Sequence, residues 1–229
     1  MRPFLVSILL FAAACSSLPR DPERTTERVR QGVVRAGLVE NPPWVVRTAG
    51  EPAGVEVELV RRFAGSLGAK PQWFWGGEQQ HMEALRRFEL DLVVGGLDDR
   101  TPWKKAVGIT RPYYEERVAI GVAPSAPWPA KLAHLSVATE AGDETAAYLR
   151  KRNAEPQRVG TLKGVSGPVA APDWRLERLG FVHTNLELLT RNHVMATAPG
   201  ENGWVKLLGD FLFEQRAEIR GLLQREEVQ

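Results

Sequence analysis

Cysteine is almost absent from this chain, with Cys15 the single example in 229 residues. One thiol excludes an internal disulfide framework and leaves no second cysteine for a thiolate zinc site. An excess of one charge is lacking too. Lys and Arg number 30 against 28 Asp and Glu, a formal net charge of +2, which gives no electrostatic footprint for nucleic acid. Long apolar runs are missing: the longest, Phe4 to Ala14, is broken by Ser7 and is well short of the roughly 20 residues a spanning helix needs. Neither a P-loop, a Gly-x-Ser-x-Gly elbow nor a Gly-x-Gly-x-x-Gly fingerprint occurs. His81, His134, His183 and His193 stand too far apart for a helical metal pair, so each reads as a surface or packing residue. What remains is ordinary globular usage, 43% apolar and 25% charged, enough for one large domain or two small lobes.

The first residues read as an export signal over 1–14. Arg2 is a minimal positive region, Phe4 to Phe11 an apolar one, and Ala12-Ala13-Ala14 the small residues before a cleavage point. Cys15 follows directly, an arrangement that resembles the lipobox of bacterial lipoproteins and implies lipidation there. Residues 15–31, polar and carrying Pro19 and Pro22, read as a tether holding a domain off a membrane.

Beyond the tether, strand and helix patterns alternate. Gly32 to Val39 suits a buried strand, and Val57, Val60, Phe63, Ala64 and Leu67 recur at helical spacing within Val55 to Leu67. Gln72 to Trp75 reads as a strand, His81 to Phe88 as a helix, and Leu90 to Gly96 as a buried strand ending in two glycines. This pattern predicts an α/β fold with a largely parallel sheet, its site beyond the carboxyl ends of the strands. Val118 to Val122 is a further strand and Pro124 to Pro129 a stiff connector. A second alternation follows through Leu135–Thr139, Asp143–Arg152, Arg158–Gly160 and Pro168–Ala171. His193–Ala198 is extended, and the chain ends in two helices, Asn202–Phe213 and Ala217–Gln224.

The stretch LDLVVGGLDDRTPWKKAVGITRPYY, Leu90 to Tyr114, resembles the core motif of bacterial extracellular solute-binding proteins of family 3. ENPPW at Glu40, GVEVELVRRFA at Gly54, VATEAGDETAAYL at Val137 and HVMATAPGEN at His193 follow the family's order. The resemblance implies a two-lobed periplasmic-binding-protein fold of type II, with mixed, mostly parallel sheets and a two-strand hinge. It places lobe I at 32–115 and 197–229 and lobe II at 116–196. It implies a monomeric receptor without a cofactor, in the periplasm or at the cell surface and lipid-anchored. That receptor passes a small solute, an amino acid or an amine, to an ABC-transporter permease.

Carried over residue by residue, the resemblance puts Trp44 against the solute and Glu78 where many members have another aromatic. Gly96 and Asp98 match contacts after the double-glycine strand. Thr139 to Thr145 matches a loop entering a helix, and Asp173 the acid that takes an α-ammonium. One departure matters. Where the family has an arginine that grips an α-carboxylate bidentately, this chain has Trp103, which cannot form that fork; Arg100, one turn earlier, is the available substitute. Trp44 and Trp103, with the nearby carboxylates, favour an amine-bearing solute. Between Gly160 and Pro168 there is also no room for a helix that members usually carry. Two alternatives stay open: a sensory or scaffold lipoprotein using a degenerate binding fold, and an enzyme of the cyclohexadienyl dehydratase type with Glu140 or Asp173 as acid.

Overall fold

The computed structural model describes residues 20–30, 32–140 and 144–225. The export signal, Cys15 and Asp143 lie outside them. Two five-stranded sheets organise the rest. In the first, β1 (Val33–Leu38) lies between β2 (Lys70–Trp75) and β3 (Leu92–Val94), parallel to both. The order is completed by β10 (Ala196–Thr197) and β4 (Gly108–Ile109), with β10 antiparallel to β3 and to β4. Helices α2 (Val55–Ser66) and α3 (Glu78–Arg86) are the crossovers. Val55, Val57, Leu59, Val60, Phe63 and Ala64 of α2 join β1, Trp204, Leu208 and Leu212 in the main core, as helical periodicity requires.

The second sheet runs β7 (Glu155–Val159), β6 (Ser136–Glu140), β8 (Val169–Pro172), β5 (Tyr114–Val122) and β9 (Val182–His193). The first three are parallel and the last two antiparallel. Helices α4 (Thr145–Lys151) and α5 (Asp173–Arg178) pack on it. The thin stretch from Thr161 to Gly167 holds no helix. It makes a turn closed by the Val165 N–H on the Leu162 carbonyl at 3.2 Å, with Leu162 buried beneath it. Strands β5 and β9 carry the chain between the sheets, paired Tyr114 to His193 at the crossing. Two strands form the hinge.

Two sequence expectations change here. The polar segment before the first strand is a tether only in part, because α1 (Thr25–Val29) packs onto the first lobe with Thr25 and Val29 buried. The Glu201 carboxylate accepts from the backbone N–H of Glu23 (2.9 Å) and Thr25 (3.2 Å), and Arg28 pairs with the buried Asp91. Polar composition hid these anchors, since the acceptors lie far along the chain. The second change is that the two C-terminal helices are one, α6 (Asn202–Arg225). Its polar turn Glu214-Gln215-Arg216 consists of good helix formers and simply faces outward. No helix among the described residues is long and apolar enough to cross a membrane.

Candidate functional site

The turn after β3 is built first, because it forms one wall of the site. Gly96 has φ +68°, and a Cβ there would lie 2.5 Å from Asn41 Nδ2 and 2.7 Å from Trp44 Cδ1, so only glycine fits. The turn is held from behind by Glu56, which is fully buried. One carboxylate oxygen of Glu56 accepts from the backbone N–H of Gly95 (2.7 Å) and Gly96 (2.8 Å), and the other from the Tyr113 hydroxyl at 2.5 Å. Burial raises the Glu56 pKa, only partly offset by those hydrogen bonds. The Asn41 amide donates to the Gly95 carbonyl at 2.8 Å and ties the ENPPW loop to the same turn.

Between this wall and the second lobe lies a cleft of about 540 Å³, bordered by Asn41, Trp44, Gly96 and Asp98 on one side. Glu140, Glu144, Pro172, Trp174 and Arg175 border it on the other, and Glu116, Arg191 and His193 of the hinge strands form its floor. A second cavity of about 420 Å³ adjoins it, sharing Asn41, Gly96, Asp98 and Glu144 and adding Glu78, Arg100 and Tyr148. The volume suits a small ligand.

The charges in the cleft are paired with one another. Arg175 donates to both oxygens of Glu140, at 2.6 and 2.7 Å. Arg191 donates to Glu116 at 3.0 Å and to Glu144 at 2.8 Å. Arg100 closes on Asp98 at 2.6 Å; burial alone would raise the Asp98 pKa, but this partner holds it below the usual value. Glu116 is the most deeply set. Burial would raise its pKa, yet His193, the Trp174 indole N–H at 3.0 Å and Arg191 bring it down to about 2. Among the described lining residues, Glu78, Asp98, Glu116, Glu140 and Glu144 outnumber Arg100, Arg175 and Arg191. The described lining is therefore net negative.

Of the residues singled out from sequence, Trp44, Gly96 and Asp98 line the main cleft, and Glu78 and Arg100 the adjoining cavity. The others lie elsewhere. Trp103 sits in a single 3-10 turn, Pro102–Lys105, and packs against the apolar cluster of Met82, Leu85, Val107 and Val194. Thr139 and Thr145 are fully buried at the end of β6 and the start of α4, outside the lining. Asp173 turns away: it accepts from its neighbour's N–H at 2.7 Å and from Arg220 of α6 at 3.2 Å. Glu140 and Asp173, the alternative candidates for a catalytic acid, thus each face a guanidinium partner. Trp44 borders the cleft, but only 4% of its surface is exposed, and the His193 ring covers one face at 3.9 Å between centroids.

Sequence reading missed Glu116, Glu144, Arg175, Arg191 and His193. Glu116 left a signal: it shares the inward face of its strand with Val118 and Ile120, a charge where the period of two demands an apolar residue. His193 was read as surface or packing, and it is buried. Its two ring nitrogens have no hydrogen-bond partner, with Nε2 3.6 Å from Glu116.

Two α/β lobes, a two-strand hinge and a cleft at the strand ends define a two-lobed binding protein of the type II periplasmic class. Within that class the chain belongs to the bacterial extracellular solute-binding proteins, family 3, whose family model matches residues 34–219. Family membership implies solute binding outside the cytoplasm. An ancestral cationic amino acid solute-binding protein superposes with a TM-score of 0.71 at 16% identity, covering 87% of this chain and 97% of that one. The L-cystine solute receptor of Neisseria gonorrhoeae, unliganded and open, gives 0.65 at 15% identity, covering 85% and 91%. At such identities the likeness is one of fold. By sequence, the membrane-bound lytic murein transglycosylase F of Vibrio vulnificus (strain YJ016) is 30% identical over 124 residues, 51% of this chain and 22% of that protein. Its namesake in Idiomarina loihiensis is 32% identical over 114 residues, 48% of this chain and 25% of that protein. The chain thus spans about a quarter of the length of these curated relatives.

Proposed function

We propose that this protein is an extracytoplasmic receptor that captures a small polar solute bearing an amine between its lobes and delivers it to the permease of an ABC importer. The observation that carries the reading is the hinge-floored cleft of about 540 Å³ whose described lining has more carboxylates than guanidiniums. A cation entering it gains from that surplus, whereas a dicarboxylate meets guanidiniums already neutralised. The preference rests on the carboxylates and not on an indole face, because Trp103 packs on an apolar cluster outside the lining and Trp44 is covered. A thermal-shift screen combined with small-angle scattering tests this. Amines and amine-bearing amino acids are expected to raise the melting temperature and contract the molecule. Tight binding confined to dicarboxylates would overturn the ligand class, and no binding from any set of small polar solutes would overturn the receptor reading.

Attachment to the membrane through lipid on Cys15 belongs to the same proposal, motivated by the Ala-Ala-Ala-Cys boundary. Cys15→Ser is expected to move the protein from the membrane to the soluble fraction; a wild-type chain that is unmodified by mass spectrometry would sink this part. A second reading, a sensory or scaffold lipoprotein, is favoured by one feature. Arg220 of α6 bonds Asp173 and Glu177 of α5 and so ties the lobes together outside the hinge. A tight ligand that leaves the scattering curve unchanged would favour it.

A further inference from the structure

We infer that the ion pair Glu140–Arg175 is the specificity-determining seat of the cleft, and that it takes a solute carrying an ammonium and a carboxylate on the same carbon. The inference rests on the receptor reading above and names the residues and the ligand head group for it.

Arg175 stands on α5 and Glu140 at the end of β6, on one wall of the main cleft, with two parallel hydrogen bonds between them at 2.6 and 2.7 Å. Their side chains are 23% and 22% exposed, so the pair is accessible without being fully solvated. The other cleft arginines are committed differently. Arg191 is divided between Glu116 and Glu144, and Arg100 is closed on Asp98, its neighbour two residues away. The position where an arginine would project from the first lobe holds Trp103, which faces the core. A planar fork for a carboxylate is therefore offered by the second lobe.

Partner exchange sets the ligand class. A half-buried charge stripped of its partner is costly, whereas replacing both partners together leaves no charge uncompensated. An amine alone would take Glu140 and leave Arg175 short of its counter-ion; an acid alone would do the reverse. A zwitterionic head inserted between them gives its ammonium to Glu140 and its carboxylate to the Arg175 fork, so both keep an opposite charge. The closed pair also fills the seat when no solute is bound, so an unliganded cleft holds no bare guanidinium.

The test is titration calorimetry on the full chain with the twenty L-amino acids. For the tightest binder it continues with the decarboxylated amine and the deaminated acid of the same side chain. The amino acid is expected to bind at least about tenfold more tightly than either truncated form. In the double variant Glu140→Gln/Arg175→Gln, which leaves no lone charge, that discrimination should collapse to within about threefold while the melting temperature is retained. Arg175→Lys, which keeps the charge without the fork, should fall between. Wild-type discrimination in the double variant overturns the seat, as does a wild-type chain that binds the amine as tightly as the amino acid; in both cases the receptor stands. Failure of every amino acid, amine and acid to bind overturns the receptor reading along with the seat.

Discussion

The two walls of the cleft are built on opposite principles. The first-lobe wall is backbone: a glycine turn and the ENPPW loop, held from behind by the buried Glu56 and by Asn41, with Asp98 its one charged lining group in the main cleft. The second-lobe wall is side chain: Glu140, Glu144 and Arg175, engaged in ion pairs that can change partners. A wall of glycine and buried hydrogen bonds is fixed once the fold forms, so it shapes the site. A wall of partly exposed ion pairs can be re-specified by single substitutions, which makes it the wall to which the proposal assigns selection.

The comparison breaks most visibly at Glu56. Glu56→Ala leaves two backbone N–H groups and a tyrosine hydroxyl without their acceptor inside the protein. At about 1–3 kcal/mol for each stranded donor, partly relieved by relaxation, the expected loss of stability is about 3–5 kcal/mol. Urea unfolding measures it, and a loss below about 1 kcal/mol would mean that this wall is not held from behind. Neither ion pair of the second-lobe wall, Glu140–Arg175 or Glu144–Arg191, should approach that figure, since each is partly open to solvent.

Glu116, at the hinge between the walls, should come next. Its pKa is lowered to about 2 from 4.5. A carboxyl with a depressed folded pKa stabilises the fold above its unfolded value, and this contribution is lost as pH falls from about 4.5 through about 2. Glu116→Gln should cost on the order of 2–3 kcal/mol at pH 7 and flatten the acid limb of the stability curve in that window. Unfolding at pH 7 and pH 3 decides it: parallel acid limbs for wild type and variant would remove Glu116 from the hinge's electrostatics.

The same contrast explains what could be read without a structure. The first lobe was legible because its elements follow local rules: the 3.6-residue repeat of α2, the β-branched β1, and the glycine pair that ends β3. Glu56 was not, because a charged residue at the start of an amphipathic helix ordinarily faces solvent. The second lobe's chemistry was hidden for another reason. Arg175 pairs with Glu140 from 35 residues away and Arg191 with Glu116 from 75, and sequence spacing carries no record of such partners. Family likeness pointed to Asp173 two residues before Arg175, but only the packing of α6 reveals that Asp173 is already taken. Trp103 misled similarly: its position in the motif suggested the cleft, whereas its partly buried indole packs on the apolar cluster beside the 3-10 turn.

The smallest expected change in stability bears most directly on motion. Helix α6 is rooted in the first lobe through Trp204, Leu208 and Leu212, and its later turns reach α5 of the second. There Arg220 donates to Asp173 at 3.2 Å and Glu177 at 2.6 Å, while Trp174 inserts into the first lobe's core cluster and gives its indole N–H to Glu116. Arg220 is 39% exposed, so its two pairs should contribute only about 0.5–1 kcal/mol together. Their leverage is geometric, because they bridge the lobes away from the hinge axis, where a small rotation produces a large displacement. Arg220→Ala should leave the unfolding midpoint nearly unchanged yet widen the distribution of interlobe distances in the unliganded chain, read by small-angle scattering. It should also weaken solute binding by up to about threefold, the factor that a modest fall in the binding-competent population produces. A distribution identical to wild type would assign the restraint to Trp174 alone, and the two walls would then be held in register by apolar packing instead of charge.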